Sequence, residues 1–180
     1  IDAIIMQDYD KGVLTPRVIS EVISASERVA VPVLVDPKFR SFELYRKVQL
    51  FKPNFKELAK GLDLDIKNHE IDRLAEAVKA FQEKQGIDTF LVTLSEQGVM
   101  ASRDGELVHV PAMKREITDV SGAGDTVIAL AALCLVAGLP PAELAAISNL
   151  AGGQVCEKAG VIPVNAEKLK EECIRHFLNP

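Results

Sequence analysis

The chain has 180 residues, 48% of them hydrophobic, and a formal net charge of −5 at pH 7. This length suffices for one well-buried domain, and the acidic balance argues against a general nucleic-acid surface. The longest apolar run, residues 127–137, is shorter than the roughly 18 residues that span a bilayer, so we expect a buried helix there and no membrane partner.

Short apolar runs alternate with amphipathic stretches along the chain, which indicates parallel strands joined by crossover helices. Strands are predicted at residues 3–7, 31–36, 48–52 and 89–94, followed by a hairpin of 99–103 and 106–110 across Asp104-Gly105. Helices are predicted at residues 16–30, 54–60, 70–86, 123–137, 141–158 and 166–178. With no internal repeat and no linker, the sequence indicates a single α/β domain.

The first predicted strand lies at the very start of the chain. Residues 1–6 have neither an initiator methionine nor the layout of a signal peptide, so we expect the chain to be part of a longer protein. Because this strand is apolar on both faces, it should have helices over it and a strand beside it. Without that neighbouring strand a sheet edge would be exposed, and the chain alone would self-associate or be poorly soluble.

Polar segments follow four of the predicted strands. They are residues 8–12, 36–38, 53–57 and 95–98. Because ligands of open parallel sheets gather at the carboxyl ends of the strands, we expect these segments to meet at one edge of the sheet.

Residues 119–126 join a glycine-rich turn to the longest apolar helix. Gly122 and Gly124 let the backbone turn its N–H groups toward an anion, and the helix dipole points its positive end to the same place. Asp125 would repel a phosphate there unless it takes a proton from an attacking hydroxyl. The alternative is an ordinary turn in which Ser121 is the helix N-cap.

Several other polar residues also have an ordinary structural interpretation. Asn54 and Glu57 have the spacing of a capping box at the start of a helix. Residues 93–98 would be a polar turn between strands, Asn149 an exposed helix position, and the cations of residues 38–40 solvated loop charges.

The three cysteines, Cys134, Cys156 and Cys173, are far apart and lack the spacing of metal ligands. Reduced core thiols are therefore favoured over a disulfide or a metal site, and they are typical of the cytoplasm. The three histidines have no partners at ligand spacing and are predicted to lie on the surface.

Residues 119–126 resemble the C-terminal signature of the ribokinase-like (PfkB) family of carbohydrate kinases. Segments 9–12, 33–38, 52–57 and 91–98 narrow the resemblance to the heptose-7-phosphate kinase branch. That branch makes the heptose 1,7-bisphosphate used for ADP-heptose and the lipopolysaccharide core. The resemblance covers essentially the whole chain.

The resemblance implies a three-layer α/β/α fold with a mostly parallel sheet. The chain would be the C-terminal, nucleotide-binding portion of the kinase domain, without the N-terminal strands, the small lid and much of the sugar site. It would then have no sugar-kinase activity alone, and the intact protein is expected to be a cytoplasmic homodimer. Leu130 stands where the family signature usually has a small residue, which concerns helix packing rather than chemistry.

ATP and Mg²⁺ are the cofactors that the resemblance implies. The residues carried over to the nucleotide and its magnesium are Asn54, Phe55, Lys56 and Glu57, with Asn54 and Glu57 holding the metal, often through water. Those carried over to the phosphates, the ribose and the adenine are Thr93, Ser95, Glu96, Gly98, Asn149 and Gly152.

Asp125 is the implied general base and acceptor contact. The N–H groups of Gly122, Ala123 and Gly124 would stabilise the phosphoryl group in transfer. Asp119 and Ser121 are carried over to a site for a monovalent cation such as K⁺, near residues 158–160; otherwise they are plain turn-formers. The phosphate of a sugar phosphate needs cations, and the candidates are Lys11, Lys38 and Arg40.

Two further functions stay open from the sequence. One is a related kinase with another acceptor, such as ribose or fructose phosphate. The other is a non-catalytic nucleotide-binding module, against which the intact Asp125 argues.

Overall fold

The computed structural model describes residues 1–178. The strands are β1 (Ile4–Gln7), β2 (Val33–Asp36), β3 (Leu50–Phe51), β4 (Thr89–Thr93), β5 (Val99–Arg103) and β6 (Glu106–Val110). The α-helices are α1 (Pro16–Val29), α2 (Phe55–Gly61), α3 (Ile71–Gln85), α4 (Ala123–Val136), α5 (Pro141–Val155) and α6 (Ala166–Leu178). Two 3₁₀ helices occupy Phe39–Leu44 and Ser95–Gln97.

The six strands form one sheet in sequence order. The pairs β1–β2, β2–β3 and β3–β4 are parallel, whereas β4–β5 and β5–β6 are antiparallel. The predicted α/β fold with a mostly parallel sheet is therefore confirmed, and so is the hairpin. Its turn places Asp104 and Gly105 at φ of 52° and 82°, the left-handed region that an Asp-Gly turn requires.

The central strands β2, β3 and β4 are buried on both faces, in the three-layer arrangement that the resemblance implied. On one face Val33, Val35 and Phe51 pack with residues of α1, α2 and α3. On the other, Leu34 and Leu50 pack with α4 and α5. Alternate residues of one strand thus enter different cores, which explains why the strands are apolar throughout rather than alternating.

The first strand, β1, pairs only with β2 within residues 1–178 and forms an edge of the sheet. Ile5 is 41% exposed there, in keeping with the expected open edge. Among the helices of these residues, none has both the length and the apolar character needed to cross a bilayer.

The structure departs from the predicted elements most clearly in three places. The 3₁₀ helix Phe39–Leu44 was not predicted, and β3 is shorter than residues 48–52. Helix α5 ends at Val155 rather than at residue 158, because the Cys156 carbonyl accepts hydrogen bonds from the backbone N–H groups of Thr118 and Asp119. A long-range contact, invisible in the local sequence, therefore sets the end of that helix.

Candidate functional site

The four polar segments that follow the strands do meet at one edge of the sheet. They surround an open cleft of about 620 Å³, the polar cleft, which lies beside a second cavity of about 540 Å³, the apolar pocket. The predicted residues that line the polar cleft are Lys38, Asn54, Phe55, Lys56, Glu57, Thr93, Ser95, Glu96, Gly124 and Asp125. Those that line the apolar pocket are Thr93, Ser95, Glu96, Gly98, Ala123, Gly124, Asn149 and Gly152.

Asp125 lies in the first turn of α4, on the wall of the polar cleft. Its Oδ1 accepts a hydrogen bond from Gln7 Nε2 at 2.8 Å and another from the Tyr9 hydroxyl at 2.9 Å. The bond to Asp125 raises the pKa of Tyr9 above its ordinary value, because a phenolate there would face a carboxylate. Two donors from the end of β1 and its following loop therefore hold the predicted base.

A buried ion pair lies next to this carboxylate. Lys52 Nζ is 3.1 Å from Asp36 Oδ2, and the lysine side chain is 3% exposed. Burial raises the pKa of Asp36, while the Lys52 ammonium opposes that shift. A Cβ added to Gly124 would lie 3.6 Å from both charged atoms, so the start of α4 runs directly over the pair.

Asn54 and Glu57 form a complete capping box at the start of α2. Asn54 Oδ1 accepts from the Glu57 N–H at 2.9 Å, and Glu57 Oε2 accepts from the Asn54 N–H at 3.1 Å. Glu57 Oε1 also accepts from Lys38, and this bond raises the pKa of the lysine. The structural interpretation of this motif is thus confirmed, and the same side chains line the polar cleft.

The turn before α4 has a different cap from the predicted alternative. Gly122, at φ 78°, is the N-cap, and Ser121 donates its hydroxyl to Asp119 Oδ1 at 2.8 Å instead of capping the helix. The Ala123 N–H donates to the Val120 carbonyl at 3.2 Å. The N–H groups of the next helical residues have no acceptor within the helix, as at any helix start.

Asp119 organises the loop around this turn. Its Oδ1 accepts the Ser121 N–H at 3.0 Å, and its Oδ2 accepts the Gly160 N–H at 2.9 Å. These bonds, the Gly160 bond first, lower the pKa of Asp119. The predicted proximity of residues 158–160 to this loop is confirmed, and so is the turn-forming role of Asp119.

At two glycines in the wall of the apolar pocket, other atoms lie so close to the backbone that a side chain would not fit. A Cβ on Gly98 would lie 2.1 Å from the Val110 carbonyl oxygen, and one on Gly152 would lie 2.6 Å from Val127 Cγ2. Asn149 is half-buried and donates from Nδ2 to the Pro111 carbonyl at 3.0 Å, so it is not the exposed position of the alternative interpretation.

Arg115 is part of the wall of the apolar pocket. Its guanidinium is held in place by ion pairs with Glu157 and, at 2.6 Å, with Glu172. Glu157 also pairs with Lys168 of α6. This network joins the loop between β6 and α4 to the segment after α5 and to α6.

Some predicted residues lie outside the walls of both cavities. Gly122, Asp119 and Ser121 are in the turn just described, and Lys11 is exposed in the loop after β1. Arg40 pairs with Asp10 at 3.3 Å across an exposed surface. The described histidines, His69, His109 and His176, are all exposed, as predicted.

The residue-by-residue prediction missed Gln7, Asp36, Lys52 and Arg115. Gln7 and Lys52 did carry a signal, since a polar side chain ends a buried apolar run in each case. Nothing local marks Arg115, because both of its carboxylate partners lie more than 40 residues away.

The polar cleft suits a polyphosphate only together with a cation. Five carboxylates line it, from Asp8, Asp36, Glu57, Glu96 and Asp125, against three lysines. Within residues 1–178, no three His, Cys, Asp or Glu side chains are grouped to hold a metal by themselves. The donor set therefore fits a magnesium that arrives with the nucleotide and keeps most of its waters, as this ion prefers.

The fold is a three-layer α/β/α arrangement, and a polar cleft and an apolar pocket adjoin at the carboxyl ends of its parallel strands. The chain belongs to the pfkB family of carbohydrate kinases, whose model matches residues 5–168. The Bifunctional protein HldE of Syntrophotalea carbinolica is 40% identical over 178 residues, which are 98% of this chain and 36% of that relative. The chain thus spans about a third of the length of the curated relatives it matches.

Solved structures share the fold. Phosphofructokinase-2 from Escherichia coli in complex with potassium has a TM-score of 0.80 at 18% identity, over 89% of this chain and 52% of that one. Ribokinase from Arabidopsis thaliana complexed with ribose and ATP also has a TM-score of 0.80, at 22% identity, over 97% of this chain and 56% of that one.

Proposed function

We propose that this chain is the C-terminal, nucleotide-binding portion of an ATP-dependent kinase that phosphorylates the anomeric hydroxyl of heptose 7-phosphate. The observation that carries the proposal is the position of Asp125, at the start of α4 on the wall of the polar cleft and next to Gly124, which lines both cavities. The 40% identity to the Bifunctional protein HldE and the resemblance of the strand-end segments to the heptose kinase branch support this acceptor over other sugars.

ATP would have its adenine in the apolar pocket, beside Asn149 and Gly152, and its phosphates at the shared wall of the two cavities. That wall contains Thr93, Ser95, Glu96 and Gly124. Asn54 and Glu57 would hold magnesium through its waters, and the ion would supply countercharge to the β- and γ-phosphates. Lys56, also on the cleft wall, would neutralise part of the remaining phosphate charge.

In the transfer step the acceptor oxygen forms a bond to the γ-phosphorus while the bond from that phosphorus to the leaving oxygen of ADP breaks. Asp125 takes the hydroxyl proton as the oxygen attacks. The N–H groups of Gly122 and Gly124, with the helix dipole, stabilise charge on the transferring group, and the Ala123 N–H can join once its long bond to Val120 opens.

The phosphate of the acceptor needs a cation that the nucleotide does not use. The three candidates differ in their present contacts. Lys38 lines the cleft and pairs with Glu57, Arg40 pairs with Asp10 from the 3₁₀ helix after β2, and Lys11 is exposed on the loop after β1, so Lys11 and Arg40 would have to shift toward the sugar phosphate. A monovalent cation, for which the solved potassium complex is a precedent in the same fold, would bind near Asp119 and Ser121.

A screen of the full-length protein tests the proposal. We expect ATP-dependent phosphorylation of heptose 7-phosphate at a kcat/KM at least tenfold above that of ribose or fructose 6-phosphate. A preference for another sugar would support the kinase activity but contradict heptose 7-phosphate as the acceptor. Nucleotide binding without turnover of any sugar would instead favour the non-catalytic module, so calorimetric titration with ATP belongs in the same experiment.

A further inference from the structure

Gln7 links the buried ion pair to the proposed base. Its Nε2 donates to Asp36 Oδ2 at 2.7 Å and to Asp125 Oδ1 at 2.8 Å. An amide nitrogen carries two hydrogens, so these two bonds use both of them. The side chains therefore form one continuous series, from Lys52 through Asp36 and Gln7 to Asp125.

The arrangement leaves one oxygen of Asp125 without these contacts. Gln7 and Tyr9 both donate to Oδ1, and neither donates to Oδ2. A carboxylate held by two donors on one oxygen is fixed in rotation, and its other oxygen keeps its lone pairs for a proton. A general base must first have a free oxygen within reach of the proton that it removes, and this arrangement provides one.

The Lys52–Asp36 pair explains why Gln7 is oriented in this way. A buried carboxylate without a cation would take up a proton, and the protonated Asp36 would be a poorer acceptor for Gln7. Burial raises the pKa of Asp36, and the Lys52 ammonium, 3.1 Å from Asp36 Oδ2, opposes that rise, which strengthens Asp36 as an acceptor for the Gln7 amide. The pair also lies under Gly124, so it supports the backbone that carries Asp125.

We propose that Gln7, Asp36 and Lys52 are positioning residues that hold the Asp125 carboxylate by Oδ1 and leave Oδ2 to accept the proton of the sugar hydroxyl. The inference rests on the proposed function, since it concerns the base of that reaction. It assigns to the end of β1 and to the residue after β3 a role in turnover that their burial alone does not give them.

The test uses the full-length protein and starts with Gln7→Met, which removes the amide and keeps the length of the side chain. We expect kcat to fall about 10- to 100-fold, the range for a misplaced catalytic group, with the KM for ATP changed less than twofold. A fall in kcat with a retained KM separates the positioning of the base from a loss of nucleotide binding. An unchanged kcat would overturn the proposal.

A charge series gives a second, independent readout. Lys52→Met should lower kcat at least as much as Gln7→Met, because it leaves the buried Asp36 carboxyl without its cation. The double variant Asp36→Asn with Lys52→Met should recover at least tenfold, because an amide carbonyl at position 36 can accept from Gln7 without a buried cation beside it. The control is Lys84→Met, which removes an exposed ammonium paired with Glu43. A double variant no better than Lys52→Met would overturn the proposal, even if Gln7→Met does not fold. A wild-type protein that phosphorylates no sugar would contradict the proposed function first, and this inference with it.

Discussion

The polar cleft and the apolar pocket share the wall around Gly124, yet they are built by opposite means. Long charged side chains line the cleft and are held by one another, as in the series from Lys52 to Asp125. The pocket owes its shape to missing side chains at Gly98 and Gly152 and to support from Arg115 behind it. Chemistry and shape are therefore encoded separately in this molecule, although the proposed nucleotide site would use both.

This difference gives the two regions different responses to substitution. A change of charge in the polar cleft should affect turnover while the fold is retained. A methyl group added at the wall of the pocket should affect the fold first and nucleotide binding as a consequence.

The largest effect is expected for Asp125→Asn in the full-length protein. The amide keeps the size of the side chain and removes its basicity, so turnover should fall roughly 10²- to 10⁴-fold, the range typical of general-base loss. Because Asp125 is exposed, the melting temperature and the affinity for ATP should be close to those of the wild type. Steady-state kinetics, calorimetry and a thermal melt check the three parts, and a variant with near-normal turnover would contradict the assignment of the base.

The meeting of the polar segments at one edge of the sheet was predictable from the sequence, because each segment follows an apolar run. The assignment of residues 54–57 and 93–98 to a nucleotide site came from the family resemblance. From residues 119–126 the turn, the start of the helix and the carboxylate where they join were all predicted. Gln7 and Lys52 were not predicted as site residues, because their role depends on which strands are neighbours. Strand order is a tertiary property, and it brings Gln7 within reach of an aspartate 118 positions later in the chain.

The apolar pocket was far less predictable. Asn149 and Gly152 were named only through the family resemblance, since a polar residue and a glycine in a helix have many explanations. The end of α5 was placed three residues too late, because the bonds from Thr118 and Asp119 to the Cys156 carbonyl join distant segments. The shape of the pocket depends on contacts between distant segments, and such contacts are not visible in the types of the residues that form it.

An intermediate effect is expected for Gly98→Ala. Gly98 has φ 89° and ψ −129°, a region that side chains avoid, and its new Cβ would lie 2.1 Å from the Val110 carbonyl oxygen. The strained backbone of residue 98 and the displacement of the Val110 carbonyl together should lower the free energy of unfolding by about 3 kcal/mol, measured by urea denaturation.

Gly105→Ala is the matched control for that variant. Gly105 also has a positive φ, of 82°, but an added Cβ there would meet no atom within 4 Å. Its cost should be backbone strain alone, about 1 kcal/mol, with nucleotide binding unchanged. If the two variants lose equal stability, close approach at the pocket wall is not what requires a glycine at position 98.

The smallest effect concerns the support of the apolar pocket and depends on pH. Bonds from Lys168 and then Arg115 lower the pKa of Glu157 below its ordinary value of about 4.3. Because the folded state favours the ionised carboxylate, this stabilisation is fully present above about pH 4.3 and is lost as the pH falls through the lower, folded-state pKa. Glu157→Gln should therefore show a shallower fall in the free energy of unfolding between about pH 4.3 and pH 3 than the wild type. Glu27→Gln, an exposed position of α1, is the control and should keep the wild-type slope. Equal slopes in all three proteins would mean that the network behind the pocket gives it no net electrostatic support, and that its shape rests on backbone packing alone.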